Sequence, residues 1–209
     1  MRDAVNSTSW TLSIIFVGGL VYSWGWIIVN VPELFNVGIV YEFMTVLSVI
    51  LAVYLISINK PVFGFPPLHM FPETTIVGIL LGFLSLLISG AISQLPPFQV
   101  SLYQKLPPLI AFFFVFLISC TEEVCFRGAM LPVLYYHGGA VQAILVNSIL
   151  FSFLHWTVYQ ISPANFLASF IFSVIVSIPS LYYKTGYVGM VAHLTHNLAV
   201  LYGLIGWPL

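Results

Sequence analysis

A chain of 209 residues that is 60% hydrophobic and only 5% charged cannot enclose its core in a polar surface, because a soluble domain carries about 25% charged residues. Lipid rather than water must face much of it. The formal net charge of -1 excludes the basic footprint by which nucleic acid is held through its phosphates, so no nucleic-acid partner is implied. Behind the polar residues Met1–Ser9 comes an apolar run too long for a signal-peptide core of about 7 to 15 residues, and it is expected to remain as a membrane helix.

Spanning helices need about 20 mainly apolar residues. Runs of that kind extend, in chain order, from about Trp10 to Val29, Val37 to Ile58, Thr74 to Ser93, Pro108 to Leu131, Ala140 to Val158, Ala164 to Tyr183 and Tyr187 to Leu204. They are punctuated by Val31-Pro32-Glu33, Asn59-Lys60-Pro61, Pro96-Pro97, Pro107-Pro108, Pro132 with Gly138-Gly139, Pro163 and Lys184-Thr185-Gly186, the residue types that end helices. The expected architecture is therefore all-α, a polytopic membrane helix bundle of about seven transmembrane helices. It would be a multi-pass protein of the cell membrane, with lipid as its constant partner. Placing Arg2, Lys60 and Lys184 on one side and Lys105 on the other favours a cytoplasmic N-terminus. His69 and His137 fall in the connections and are expected to be exposed. Cys120 and Cys125 lie roughly 7.5 Å apart along a helix axis and are not expected to pair.

Against this apolar background the fourth run carries Ser119-Cys-Thr-Glu-Glu-Val-Cys-Phe-Arg-Gly128. Each charge there costs roughly 2.5 to 3.5 kcal/mol if it sits centrally in a membrane helix, so Glu122, Glu123 and Arg127 need partners or water. Glu123 and Arg127 stand four residues apart and share a helix face, which suits a structural ion pair, whereas Glu122 points about 100° away and is left free. The fifth run ends in Phe151-Ser-Phe-Leu-His155, and the last holds His193-Leu-Thr-His196-Asn197. Glu122, His155, His193 and Asn197, carried on three helices, can converge inside a bundle. Such a set is sufficient for hydrolysis: carboxylate and neutral imidazole orient and deprotonate a water, while an imidazole N–H and an amide N–H suit the oxyanion of a tetrahedral intermediate.

In these residues the chain resembles the CAAX prenyl protease and bacteriocin-processing family, also called the Abi family, of intramembrane glutamate endopeptidases. Its motifs E-E-x-x-x-R, F-x-x-x-H and H-x-x-x-N are matched in order by Glu122-Glu123-Val-Cys-Phe-Arg127, Phe151-Ser-Phe-Leu-His155 and His193-Leu-Thr-His-Asn197. The resemblance implies that Glu122 and His155 activate water, that His193 and Asn197 form the oxyanion hole, and that Glu123 and Arg127 are structural. It further implies a peptide or lipidated protein as substrate, either a prenylated C-a-a-X protein or a leader, pheromone or bacteriocin-type peptide. The chain is read as one membrane domain, 1–209, in which 1–106 supply accessory helices and 107–205 the core that carries the motifs.

Other readings of the same residues stand beside this one. The fold could serve a non-catalytic membrane immunity or scaffold protein, and membrane Glu and His also form the proton relays of transporters, although no inverted pair of interrupted repeats is visible. No cofactor or metal is expected. Glu122, His155, His193 and His196 could nonetheless be arranged around a zinc ion, although no H-E-x-x-H motif accompanies them. The aromatic stripe Phe112 to Phe116 reads as lipid-facing or packing surface rather than a cofactor box.

Overall fold

The computed structural model describes residues 62–92, 107–158 and 162–203. Among them there is no strand. A short 3-10 turn, Leu68–Met70, leads into α1 (Phe71–Ile92), followed by α2 (Pro108–Glu123), a π-helical segment (Val124–Met130), α3 (Leu131–Val158), α4 (Pro163–Tyr183) and α5 (Tyr187–Leu201). The expected runs Trp10 to Val29 and Val37 to Ile58 lie outside the described residues, as do Arg2, Lys60 and Lys105. The count of seven rests on the sequence alone.

Among the described residues, three helical stretches are long and apolar enough to cross a membrane: Leu68–Ile92, Pro108–Phe153 and Pro163–Tyr183. The second, with 46 residues, would reach about 69 Å if straight, far beyond a hydrocarbon core of about 30 Å. It is not straight. Gly139 breaks it with φ 77 and ψ 179, a backbone conformation open to glycine because it has no Cβ. The rings of Phe126 and Phe151, on either side of the break, lie 5.1 Å apart, where a continuous helix would separate them by about 37 Å. The chain doubles back at Gly139, so the expected runs Pro108 to Leu131 and Ala140 to Val158 are folded against each other.

Pro132, expected as a break, lies inside the helix. A proline there cannot donate to the carbonyl four residues earlier, and that carbonyl, Gly128, instead accepts the Phe63 N–H at 2.7 Å. Just upstream the π segment lets the Leu131 N–H reach the carbonyl of Phe126. Proline has therefore loosened the helix by one π turn and opened an acceptor for a second segment of chain, without ending it. Pro163 acts as expected and takes the first helical position of α4, where the Ser162 hydroxyl accepts the Asn165 N–H. Lys184, at φ 52, closes α4 in the left-handed conformation.

Burial is inverted relative to a soluble domain. Leu109 is 79% exposed and Val141 73%, while Glu123, Arg127 and Asn147 are 0% exposed. Phe112, Phe113 and Phe116 face outward, as the aromatic stripe predicts. His69 is exposed, but His137 is half-buried and stands edge-on to the Tyr136 ring at 5.3 Å, so the exposure expected for it is not found. Neither Cys120 nor Cys125 forms a disulfide, as their spacing leads one to expect.

α1 lies along α4 and α5, α4 along α3, and α5 along α2. The α1–α5 contact depends on Gly78 and Gly82: a Cβ on either would come within 2.6 Å of the Cβ of Val191 or Thr195. Two small residues four apart let the backbones touch, a common device where lipid supplies no hydrophobic drive between helices. Close packing of α1 on α5 fixes the helix that carries His193 and Asn197.

Candidate active site

The π segment passes through the centre of the bundle, with Cys125, Phe126, Arg127, Gly128, Ala129 and Met130 all buried. Single π turns are frequent at functional sites, and this one begins directly after Glu122 and Glu123. Its exit is clamped from outside. Beyond the Phe63 bond to Gly128, the Thr185 hydroxyl donates to the Gly64 carbonyl at 2.7 Å, and a Cβ on Gly186 would lie 3.2 Å from the Gly128 nitrogen. The segment around Phe63 and the α4–α5 turn thus hold the π segment in place from two sides.

Arg127 Nη1 donates to Glu123 Oε1 at 2.7 Å, the ion pair that the four-residue spacing predicts. The same oxygen also receives the Nδ1–H of His193 at 3.0 Å, because a carboxylate can only accept. Glu123 is thereby more than a strut: it holds the imidazole of α5 in one orientation. The close approach needs Gly189, where a Cβ would collide with Glu123 Oε2. Beneath this trio the Arg127 guanidinium sits 4.3 Å from the centroid of Phe151 and 5.7 Å from that of Phe172, a desolvated cation–π arrangement.

Glu122 faces the other way, as its angular offset requires. Its side chain keeps 16% of its surface against 0% for Glu123, so of the two carboxylates it is the less buried. Glu122 Oε2 lies 3.6 Å from His155 Nε2 and 3.9 Å from His193 Nε2. Both imidazoles are anchored through their far nitrogen: the Nδ1–H of His155 goes to the Phe151 carbonyl at 2.9 Å, that of His193 to Glu123. In neutral imidazoles so anchored each Nε2 is a lone-pair acceptor. A carboxylate oxygen and two ring nitrogens therefore converge as three acceptors, at separations that suit a bridging water better than direct hydrogen bonds.

Phe151 packs this centre together. It is 1% exposed, its ring stacks on His155 at 4.1 Å and stands edge-on to His193 at 5.9 Å. Phe172 on α4 closes the opposite side, 5.2 Å from His193 and 5.8 Å from His196. Phe172 was not foreseen from the sequence, where it is one apolar residue among many.

Asn197 stands one turn beyond His193 on α5. Its Nδ2 donates to the hydroxyl of Ser119 at 3.1 Å, three residues before Glu122 on α2, which leaves the second amide hydrogen for another acceptor. His196 belongs to a separate contact. The Ser85 hydroxyl gives its single proton to the Gly82 carbonyl at 2.7 Å, so the 2.8 Å contact with His196 is donated by His196 Nδ1. Ser119 and Ser85 were also missed; serines in apolar helices usually bond their own backbone, and nothing local distinguishes these two.

The residues present fit a metal ion as well as a water. Ligand atoms of Glu122, His155 and His193 all lie within 4.8 Å of one another, and an imidazole whose Nδ1–H is tied to a carboxylate or a carbonyl is the usual form of a metal-binding histidine. His196 is not part of that group.

No curated protein and no solved structure matches this chain. Residues 104–199, which carry all three motifs, match the family model described as Type II CAAX prenyl endopeptidase Rce1-like.

Proposed function

We propose that the protein is a multi-pass intramembrane endopeptidase of the cell membrane. It would cut a peptide bond in a prenylated C-a-a-X protein or a related membrane-associated peptide with a water activated by Glu122 and His155. The observation that carries this reading is the convergence of Glu122 Oε2, His155 Nε2 and His193 Nε2 with both histidines anchored from behind. A water lodged against three acceptors gives up both its hydrogens to them. Its lone pairs then point outward toward a substrate carbonyl, and Glu122 takes the proton as the carbon–oxygen bond forms. The spare Asn197 amide hydrogen would serve the developing oxyanion. The proton taken by Glu122 can pass to His193 Nε2, 3.9 Å away, so that the imidazolium, with Glu123 as its counter-charge, also donates toward the oxyanion. The leaving amine collects the proton and departs, which balances the hydrolysis without a covalent intermediate.

The family match over 104–199 supports the C-a-a-X class of substrate, since a type II CAAX prenyl endopeptidase is what the family is described as. The test is cleavage of prenylated C-a-a-X peptides, beside unprenylated and leader-type peptides, by purified protein in liposomes. Wild type should cut the prenylated set and Glu122→Ala should not. Equal cleavage by the variant would overturn the reading, and absence of cleavage with full biological activity would favour a scaffold or immunity role.

A second reading has its own observation. The mutual spacing of the three ligand atoms, with both Nδ1–H groups tied back, equally suits a divalent cation such as zinc, which would act as a Lewis acid on the carbonyl or the water. Elemental analysis of active protein and activity after treatment with phenanthroline separate the two. The metal-free reading expects no stoichiometric metal and no loss.

A further inference from the structure

Away from the catalytic cluster, α3 and α4 face each other with polar stripes that the proposed mechanism leaves unused. On α3, Ser148 and Ser152 recur at the spacing that leads one turn later to His155; on α4, Ser173, Ser177 and Ser180 repeat in the same way, so each set occupies one helix face. All five serines are 0% exposed, as is Asn147 beside them. The stripes meet: Asn147 Nδ2 donates to Ser177 Oγ at 3.3 Å, which directs the amide across the interface.

The hydrogen bonding of this interface is incomplete. Asn147 Oδ1, Ser148 Oγ and Ser173 Oγ are buried and have no protein partner, and the same is true of Arg127 Nε, Arg127 Nη2 and Glu123 Oε2. These atoms are linked through shared neighbours. Arg127 lies over Phe151 and Phe172, whose helices carry Ser152 and Ser173 as the next residues in sequence, and Glu123 Oε2 abuts Gly189 beside Val176, one turn from Ser173 and Ser180. The Arg127 donors and the Glu123 acceptor stand at one end, the Asn147 carbonyl oxygen and the two hydroxyls at the other. In a membrane no bulk solvent rescues such groups, and a molecule that both donates and accepts completes every one of them. Water, which makes about three hydrogen bonds in buried sites, is that molecule.

We propose that the α3–α4 interface holds a file of internal waters running from Asn147 and Ser177, past Ser148 and Ser173, to the Arg127–Glu123 pair beside His193. Each hydrolysis consumes one water at a site surrounded by hydrocarbon, and the file is the store from which it is replaced. The supply role rests on the peptidase reading above; the presence of the waters does not.

Hydroxyl-radical footprinting of the full-length protein in detergent reads buried water directly, because radicals form beside it. Phe151 and Phe172 should be labelled in the wild type. The triple variant Asn147→Leu, Ser148→Ala, Ser173→Ala should lower that labelling several-fold while Leu86, in the dry α1–α5 contact, stays as it was. Equal labelling in both proteins overturns the proposal. Should the triple variant fold poorly, the pair Ser148→Ala and Ser173→Ala carries the same comparison. In the peptidase assay the triple variant should lose kcat several-fold with KM unchanged. Labelling without any cleavage by wild type would sink the peptidase reading and keep the water file, whereas cleavage with unchanged labelling would do the reverse.

Discussion

Glu123 and His193 are joined at 3.0 Å through a carboxylate oxygen that Arg127 also holds at 2.7 Å. One buried oxygen thus links α2, the π segment and α5. Removing the carboxylate leaves a guanidinium with no counter-charge among aromatic rings, a change that costs about 3 to 5 kcal/mol when one partner of a buried pair is lost. Glu123→Ala should therefore lower the thermal unfolding midpoint sharply. The double variant Glu123→Ala, Arg127→Met should be less destabilised than the sum of the two single changes, and additivity in that cycle would mean the pair is not coupled.

Phe151 touches Arg127, His155 and His193 with a single ring. In Phe151→Leu the apolar volume is largely kept but the face beneath the guanidinium is gone, removing up to about 2 kcal/mol of desolvated cation–π attraction. The stacking that orients His155 is lost as well. Cleavage should fall more than stability does, read as kcat/KM against unfolding midpoint. Phe151→Tyr retains the face and should lie nearer to wild type.

The glycine contact between α1 and α5 acts at a distance from the chemistry. Gly82→Ala places a methyl within 2.6 Å of Thr195 Cβ and 2.7 Å of the Ala192 carbonyl, and overpacking of this kind costs about 1 to 3 kcal/mol. Because α5 carries His193 and Asn197, both stability and cleavage should drop together. Gly90→Ala, where a Cβ meets nothing within 4 Å, should change neither and serves as the control.

Much of this architecture could be read from the order of residues, and the parts that could not have common physical causes. Pro108, Pro163 and the Lys184-Thr185-Gly186 turn mark helix ends because a missing N–H or a left-handed residue acts locally. Pro132 misled because its effect depends on a distant partner: with Phe63 available to take the Gly128 carbonyl, the helix could continue. Glu123 with Arg127 was visible from spacing, but the second bond of Glu123, to His193, joins residues far apart in sequence and has no local signature. The same holds for Ser119 under Asn197 and Ser85 under His196. Phe172 is silent for a further reason: in a chain this apolar one more phenylalanine carries no information until its neighbours are known.

In the proposed mechanism Asn197 meets the substrate and Ser119 positions it. Asn197→Ala removes the spare amide hydrogen and should reduce kcat by about 10² to 10³, the usual cost of one oxyanion donor, with KM little changed. Ser119→Ala removes only the acceptor that holds the amide, so its loss should be much smaller, and Ser119→Thr should restore most of it. Equal losses in Asn197→Ala and Ser119→Ala would place the serine itself at the substrate.

Glu122 presents the opposite balance from Glu123. Its Oε2 is buried without a hydrogen-bond partner, facing two imidazole nitrogens at 3.6 and 3.9 Å. On the proposed reading, a carboxylate kept in such company serves chemistry at the expense of the fold, as active-site groups commonly do. In Glu122→Gln the charge is gone and the new amide can donate toward His155 Nε2 or His193 Nε2, so the unfolding midpoint should hold or rise. Cleavage should fall by at least the 10² to 10⁴ or so attributed to a general base, since an amide cannot accept the proton of the attacking water. A fall in midpoint comparable to that of Glu123→Ala would instead make Glu122 a structural carboxylate and remove the ground for assigning it the water.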